Sequence, residues 1–150
     1  MRQREILLKQ QLNLIRVMLL AIANALYGDF GEAEKNGLKT LELSPVDPEI
    51  PNFLIGIYLS YMGQGRYEEA LESVNKALQR KNYGATLGFR ASLLGHLEKG
   101  SEVKMVLDTY LALRPNLKTR EDYRNSFITN SVLADTIIEG LIKAGWKPED

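Results

Sequence analysis

The sequence predicts an all-α fold built from three consecutive helix pairs and a C-terminal helical cap. The first observation is internal similarity, because the stretches that begin at Gly28, Gly65 and Glu98 resemble one another. The second is a helical apolar stripe in segments 70–78 and 103–111, where apolar residues recur three or four positions apart. Two helices cannot bury such a stripe alone. We therefore expect stacked units that fold together as one domain over residues 1–150.

The similar stretches repeat with a period near 34 residues. A small residue recurs at Ala33 and Ala70, with Val103 at the third position, so the steps are 37 and 33 residues. The longer step carries extra residues between the first two units, where an insertion costs little. This period resembles that of the tetratricopeptide repeat (TPR) family, whose unit is a pair of antiparallel helices. The resemblance implies a right-handed α-solenoid with repeats at about 10–45, 51–82 and 84–115, followed by capping helices at 119–145.

Single residues match the TPR motif one by one. The family places small residues where its two helices cross, a glycine and an aromatic at the turn between them, and a proline at the end. The second unit matches best; the chain departs from the pattern at Tyr58, Asn82, Glu98 and Gly100. The resemblance implies a packing role inside the repeats for Ala21, Gly28, Phe30, Ala33, Pro45, Tyr61, Gly65, Tyr67, Ala70, Ala77, Ala91, Val103 and Pro115.

The pattern changes after Pro115. Thr119 and Asp122 have the spacing of a capping box that opens a short helix. A second helix, capped by Asn130 or Ser131, carries an apolar stripe and stops at Gly145. We expect it to cover the apolar edge of the third unit. This tail resembles the ends of TPR regions attached to bacterial class III nucleotidyl cyclases and to winged-helix transcription regulators, which implies a bacterial, regulatory context.

Composition argues against several classes of function. Nineteen basic and 19 acidic residues cancel, so no broad nucleic-acid surface is expected. Without cysteine there is no disulfide, thiolate metal site or cysteine nucleophile. The single histidine, His96, lacks partners at metal-ligand spacing, and the acidic pairs at 68–69 and 121–122 fall in first turns of helices, where they complement the dipole. We expect no catalytic residue, no metal and no cofactor.

The apolar N-terminal stretch raises the question of a membrane. Leu12 to Leu26 is interrupted by Asn13, Arg16 and Asn24, and is shorter than the roughly 18 apolar residues of a spanning helix. A secretory leader is the alternative, because Arg2 and Arg4 precede the stretch and Ala23-Asn24-Ala25 has the small-x-small pattern of a cleavage site. The first helix of the repeat array explains the stretch better. We therefore expect no membrane insertion and a cytoplasmic protein rather than a secreted or periplasmic one.

In the TPR family the first helices of the pairs line a concave groove. The resemblance assigns partner binding to Ile15, Met18, Ile22, Asn52, Ile55, Leu59, Met62, Ser92 and His96. The set is largely apolar, and the lysines, asparagines and arginine with which chaperone-binding relatives hold a peptide carboxylate are absent. An apolar or helical segment of a partner suits these residues better. Alternatively, residues 1–10 or a second subunit already cover the groove.

These observations predict a protein–protein interaction module, an adaptor or scaffold without catalysis, whose partner is a protein or peptide. A homodimer is also consistent with them. The alternative is a regulatory or oligomerisation domain of a signalling protein, either a cyclase or a transcription regulator. An enzyme with its site in the groove would need convergent polar groups there, which the apolar residues do not supply.

Overall fold

The computed structural model describes residues 2–81, 84–126 and 131–150, and within them it contains helices and no strand. The all-α prediction is therefore confirmed for this part of the chain. The helices are α1 (Arg2–Tyr27), α2 (Phe30–Leu43), α3 (Ile50–Gly63), α4 (Tyr67–Arg80), α5 (Gly84–His96), α6 (Gly100–Leu113), α7 (Arg120–Ser126) and α8 (Ser131–Ala144). The first helix begins eight residues before the expected start of the first repeat.

Each helix from α1 to α5 packs against the next one in the chain, and α1 also packs against α3. The centre of the molecule is α3, which contacts α1, α2, α4 and α8. Its residues 53–62 are buried except for Ile55, which is half-buried. A helix that is apolar on all sides must be covered on all sides, and α3 meets this requirement.

The ends of α1, α3 and α5 share one backbone geometry. Gly28, Gly65 and Glu98 follow these helices with φ of 91°, 73° and 52°. At each end this residue's amide donates to the carbonyl three residues back, and the next amide donates to the carbonyl five back. The sequence comparison had matched these same three positions. Their common geometry supports the phase that we assigned to the units, although Glu98 departs from glycine.

Small residues allow close approaches between these helices. A Cβ added at Gly56 of α3 would lie 2.6 Å from the Cβ of Ala21 on α1. A Cβ at Gly63 would strike the ring of Phe30, at 2.2 Å from its Cζ atom.

The residues given a packing role differ in burial. Buried are Ala21, Ala33, Tyr61, Ala70, Ala77 and Ala91; half-buried are Gly28, Phe30, Tyr67 and Val103; exposed are Pro45, Gly65 and Pro115.

The capping box before α7 is confirmed. The amide of Asp122 donates to Oγ1 of Thr119 at 3.0 Å, and the amide of Thr119 donates to Oδ2 of Asp122 at 2.8 Å. Hydrogen bonds from the amides of Lys118 and Thr119 lower the pKa of the Asp122 carboxyl. Asn130 and the side chain of Ser131, the expected caps of α8, lie outside the described residues. Gly145 ends α8 with φ of 116°, as predicted.

The helix α8 contacts both helices of the third pair and one helix of the second. It packs chiefly against α5, reaches α3 of the preceding pair and contacts α6 only slightly. It therefore lies mainly on the first helices of the second and third pairs. Trp146, which follows α8, is 5% exposed and belongs to the core.

Candidate functional site

The candidate site is the surface of the first helices α1, α3 and α5, which carry all the residues assigned to partner binding. The structure divides these residues by helix. Those on α1 are open or partly open, whereas those on the later turns of α3 and α5 are covered. Ile15 is exposed, Met18, Ile22, Asn52, Ile55 and His96 are half-buried, and Leu59, Met62 and Ser92 are buried.

Solvent does not reach the whole of this surface. Leu59 is 2% exposed, and Met62 and Ser92 are fully buried. The element that packs on Ser92 is α8, and this helix also contacts α3, the helix of Leu59 and Met62. Residues 2–10, the N-terminal segment that we considered as a cover, are themselves exposed. Sequence reasoning missed this arrangement because an apolar stripe indicates that a helix is covered but not which helix covers it.

Directed hydrogen bonds fix α8 on α5. Oγ of Ser92 donates to the carbonyl of Ile137 at 2.9 Å, and Nε2 of His96 donates to the carbonyl of Thr136 at 2.7 Å. The imidazole also stacks on the ring of Tyr67, with 4.2 Å between ring centroids. Burial raises the pKa of the Tyr67 phenol, and the carboxylate of Glu139 raises it further. The single histidine thus acts as a structural link between α4, α5 and α8.

Two glycines allow α5 and α8 to cross at very short range. A Cβ added at Gly95 would lie 2.0 Å from the carbonyl oxygen of Gly140 and 2.7 Å from the amide nitrogen of Ala144. A Cβ added at Gly140 would lie 2.2 Å from Oγ of Ser92 and 2.4 Å from its carbonyl oxygen. Any side chain at either position would therefore separate the helices. The indication in the sequence was a glycine in the middle of an apolar helix. Such a glycine lowers helix stability, so its presence indicates that close packing requires it.

The buried face of α8 completes the contact with large side chains. Leu133, Ile137 and Leu141 are fully buried in the same core cluster as the covered residues of α3 and α5. The first helices of the second and third pairs thus already hold an apolar helix, and this helix belongs to the same chain.

Charged groups away from this surface form ion pairs between helices. Arg66 bonds Glu34 of α2 at 2.8 Å and Glu69 of α4 at 2.6 Å, and its guanidinium lies 4.2 Å from the ring centroid of Tyr61. Glu68 pairs with Lys99 at 2.9 Å. The acidic residues at 68–69 and 121–122 lie in the first turns of α4 and α7, as predicted. Among the described residues, no cluster of histidine, aspartate and glutamate could hold a metal ion.

The surface of α1 contrasts with the covered part of the site. Seven large aliphatic side chains of this helix are exposed by more than two-fifths: Ile6, Leu7, Leu8, Leu12, Ile15, Leu19 and Leu20. In the part of the chain that the structure describes, α1 is also the one helix long and apolar enough to cross a membrane. A signal sequence would have the same length and composition. The helix that contains the stretch from Leu12 to Leu26 is longer than that stretch, because it extends from Arg2 to Tyr27.

Comparison with known proteins adds no relative to this description. No protein-family model matches the sequence, and no curated protein or solved structure is significantly similar to the chain. The TPR resemblance therefore rests on the motif residues and on their phase along the chain. Membership of that family stays a prediction, as does the relation of the tail to cyclases and transcription regulators.

Proposed function

We propose that this chain is a protein–protein interaction module, an adaptor or scaffold with a TPR-like solenoid and no catalytic activity of its own. The observation that carries the proposal is the open apolar face of α1. Leu8, Leu12, Ile15 and Leu19 are exposed on one side of this helix and amount to about 400 Å² of apolar surface, within the range of about 300–600 Å² for the largest patch of a typical monomer. Patches of this size are typical of docking surfaces.

The packing of α8 supports a helical or apolar segment as the ligand. The first helices α3 and α5 accept α8 through apolar contacts, two short hydrogen bonds to its carbonyl groups and a glycine crossing. Because α8 fills this part of the groove, the residues left for a partner are those on α1, namely Ile15, Met18 and Ile22. We propose that a partner docks on α1 and leaves α8 in place.

The polar groups of the described residues favour binding over catalysis. His96 donates to a carbonyl and stacks on Tyr67, and Glu68 and Glu69 are engaged with Lys99 and Arg66. These interactions account for the residues that most resembled candidate acids and bases. A catalytic site needs such groups to converge on one concave pocket.

The second candidate function is a regulatory or oligomerisation domain of a signalling protein. It is favoured by the same face of α1, because an apolar face on one helix is a common means of assembling subunits. An adaptor and an oligomerisation domain differ in what lies on that face. An adaptor binds a different protein there, whereas an oligomerisation domain binds a copy of itself.

The test compares capture of cellular proteins by three immobilised forms of the chain. We expect the wild type to retain a specific partner, Leu12→Glu to lose it, and Leu20→Glu to keep it, because a buried carboxylate without a counter-ion opposes docking. Leu20 is a matched control, since it is exposed on the same helix but points elsewhere. Equal retention by all three forms would place the partner surface away from α1.

A large rise in melting temperature with a nucleotide or metal ion would instead favour the enzyme alternative.

A further inference from the structure

The apolar residues of α1 form a heptad stripe that the fold covers only near its C-terminal end, where Leu26 packs against the core. Positions 8, 12, 15, 19, 22 and 26 are all leucine or isoleucine, and they are separated by steps of four and three in strict alternation. This is the spacing of the a and d positions in a coiled coil, where two helices pack along a shared apolar seam. The stripe consists of Leu8, Leu12, Ile15, Leu19, Ile22 and Leu26.

The stripe faces away from the rest of the molecule. The buried residues of α1 are Val17, Ala21 and Ala25, which lie on the side that packs against α2 and α3. At about 100° per residue, the centre of the stripe is roughly 140° around the helix from them. Leu8, Leu12 and Leu19 are accordingly 56%, 57% and 55% exposed.

We propose that the stripe pairs with the same stripe of a second copy of this chain, so that the protein forms a homodimer through α1. This inference rests on the second candidate function, the oligomerisation domain, and names a copy of the same chain as the partner on α1. Pairing two stripes with their flanking side chains would bury on the order of 1,200 Å², which reaches the size of specific interfaces. The stripe is self-complementary, because a heptad seam on one copy matches the same seam on the other.

Two features of α1 lower the cost of this pairing. Its second half is already held as a helix by the contacts of Val17, Ala21 and Ala25, so little ordering is left for association. Between Leu8 and Leu26 the only charged residues are Lys9 and Arg16, which flank the seam and lie outside it. No charge would have to be buried within the stripe.

A lipid bilayer is the other environment that could cover α1, and the packing disfavours it. Arg16 and Asn13 fall within the apolar segment, where a charge is costly in lipid. Insertion would also withdraw Ala21 from its close contact with Gly56 and uncover α3. Pairing with a second helix would leave the contact of Ala21 with Gly56 and the packing of α1 on α3 unchanged, because it uses only the exposed side of α1.

The experiment is sedimentation velocity of the purified full chain over a concentration range of about 1 to about 200 μM, which brackets the affinity expected for an interface of this size. We expect the wild type and Leu20→Glu to form dimers. Leu12→Glu and Leu19→Glu each place a carboxylate in the seam, so their dimer dissociation constants should rise by at least about 100-fold. Circular dichroism checks that each variant keeps its helices. Leu12 is chosen because it lies outside the half of α1 that packs against the other helices, so its substitution should not disturb the fold.

The same samples are mixed with vesicles that contain an anionic phospholipid, and bound protein is measured by co-sedimentation. Two results would overturn the inference: a wild type that stays monomeric throughout, with or without vesicle binding, and a dimer that Leu12→Glu and Leu19→Glu leave intact. Vesicle binding by a monomer would assign the stripe to lipid. If the wild type is a monomer that still captures a different protein, the homodimer is refuted and the adaptor is supported. If it is a dimer that captures no other protein, the homodimer is supported and the adaptor is refuted.

Discussion

The two apolar helices at the ends of the chain, α1 and α8, have opposite environments. In α8, Leu133, Ile137 and Leu141 are fully buried against α5 and α3. In α1, which is nearly twice as long, only Val17, Ala21 and Ala25 are buried. Both helices carry enough apolar residues to form a core. Apolar content therefore does not decide which helix is covered.

The difference follows from the shape of the contact that each helix offers. Gly140 of α8 lets its backbone approach that of α5, and Ser92 and His96 then bond its carbonyl groups. The stripe of α1 instead consists of large side chains with heptad spacing, which suits a second helix with the same spacing. In addition, α2 has 14 residues against 26 in α1, so part of α1 extends beyond its neighbour.

The largest expected effect comes from placing a carboxylate beneath α8. Leu59 is 2% exposed, so Leu59→Glu should destabilise the fold by at least about 3 kcal/mol and lower the melting temperature by about 10 °C or more. The matched control is Leu20→Glu on α1, where the side chain is 43% exposed and the melting temperature should change little. Thermal melts at low protein concentration make the comparison. Equal melting temperatures for the two variants would mean that α8 does not cover α3.

A smaller effect is expected at the glycine crossing. Gly140→Ala inserts a methyl group against the backbone of Ser92, which should cost about 1–3 kcal/mol even after the helices shift apart. Gly31→Ala is the control, because a Cβ there meets nothing within 4 Å and alanine favours helix by up to about 1 kcal/mol. Urea unfolding of both variants measures the difference. The docking of α8 on α5 would be refuted if Gly140→Ala were as stable as Gly31→Ala.

The smallest effect concerns the end of α5, the helix on which α8 rests. Glu98 has φ of 52°, a left-handed conformation that Gly28 and Gly65 adopt at the equivalent ends without strain. Glu98→Gly should therefore stabilise the protein by about 0.5–1 kcal/mol. Gly65→Glu is the reverse substitution and should destabilise by a similar amount. The same urea titration tests both, and a loss of stability in Glu98→Gly would show that the three ends are not equivalent.

Local features of the fold were predictable because they depend on neighbours in the sequence. The capping box at Thr119 and Asp122 and the end of α8 at Gly145 follow from hydrogen bonds within a few residues. The matching ends of α1, α3 and α5 follow from the repeat phase. The candidate site was predicted less well, since Leu59, Met62 and Ser92 were assigned to an open groove and are buried.

The sequence by itself determined that the chain is helical, where most helices end, and that apolar stripes must be covered. It could not determine that α8 covers α3 and α5 while the stripe of α1 stays open, because an apolar stripe has the same pattern whichever helix packs on it. That choice depended on contacts between residues far apart in the chain, such as Gly95 with Gly140 and His96 with Thr136. Close packing and directed hydrogen bonds select one partner among several apolar ones, and only the tertiary structure brings those groups together.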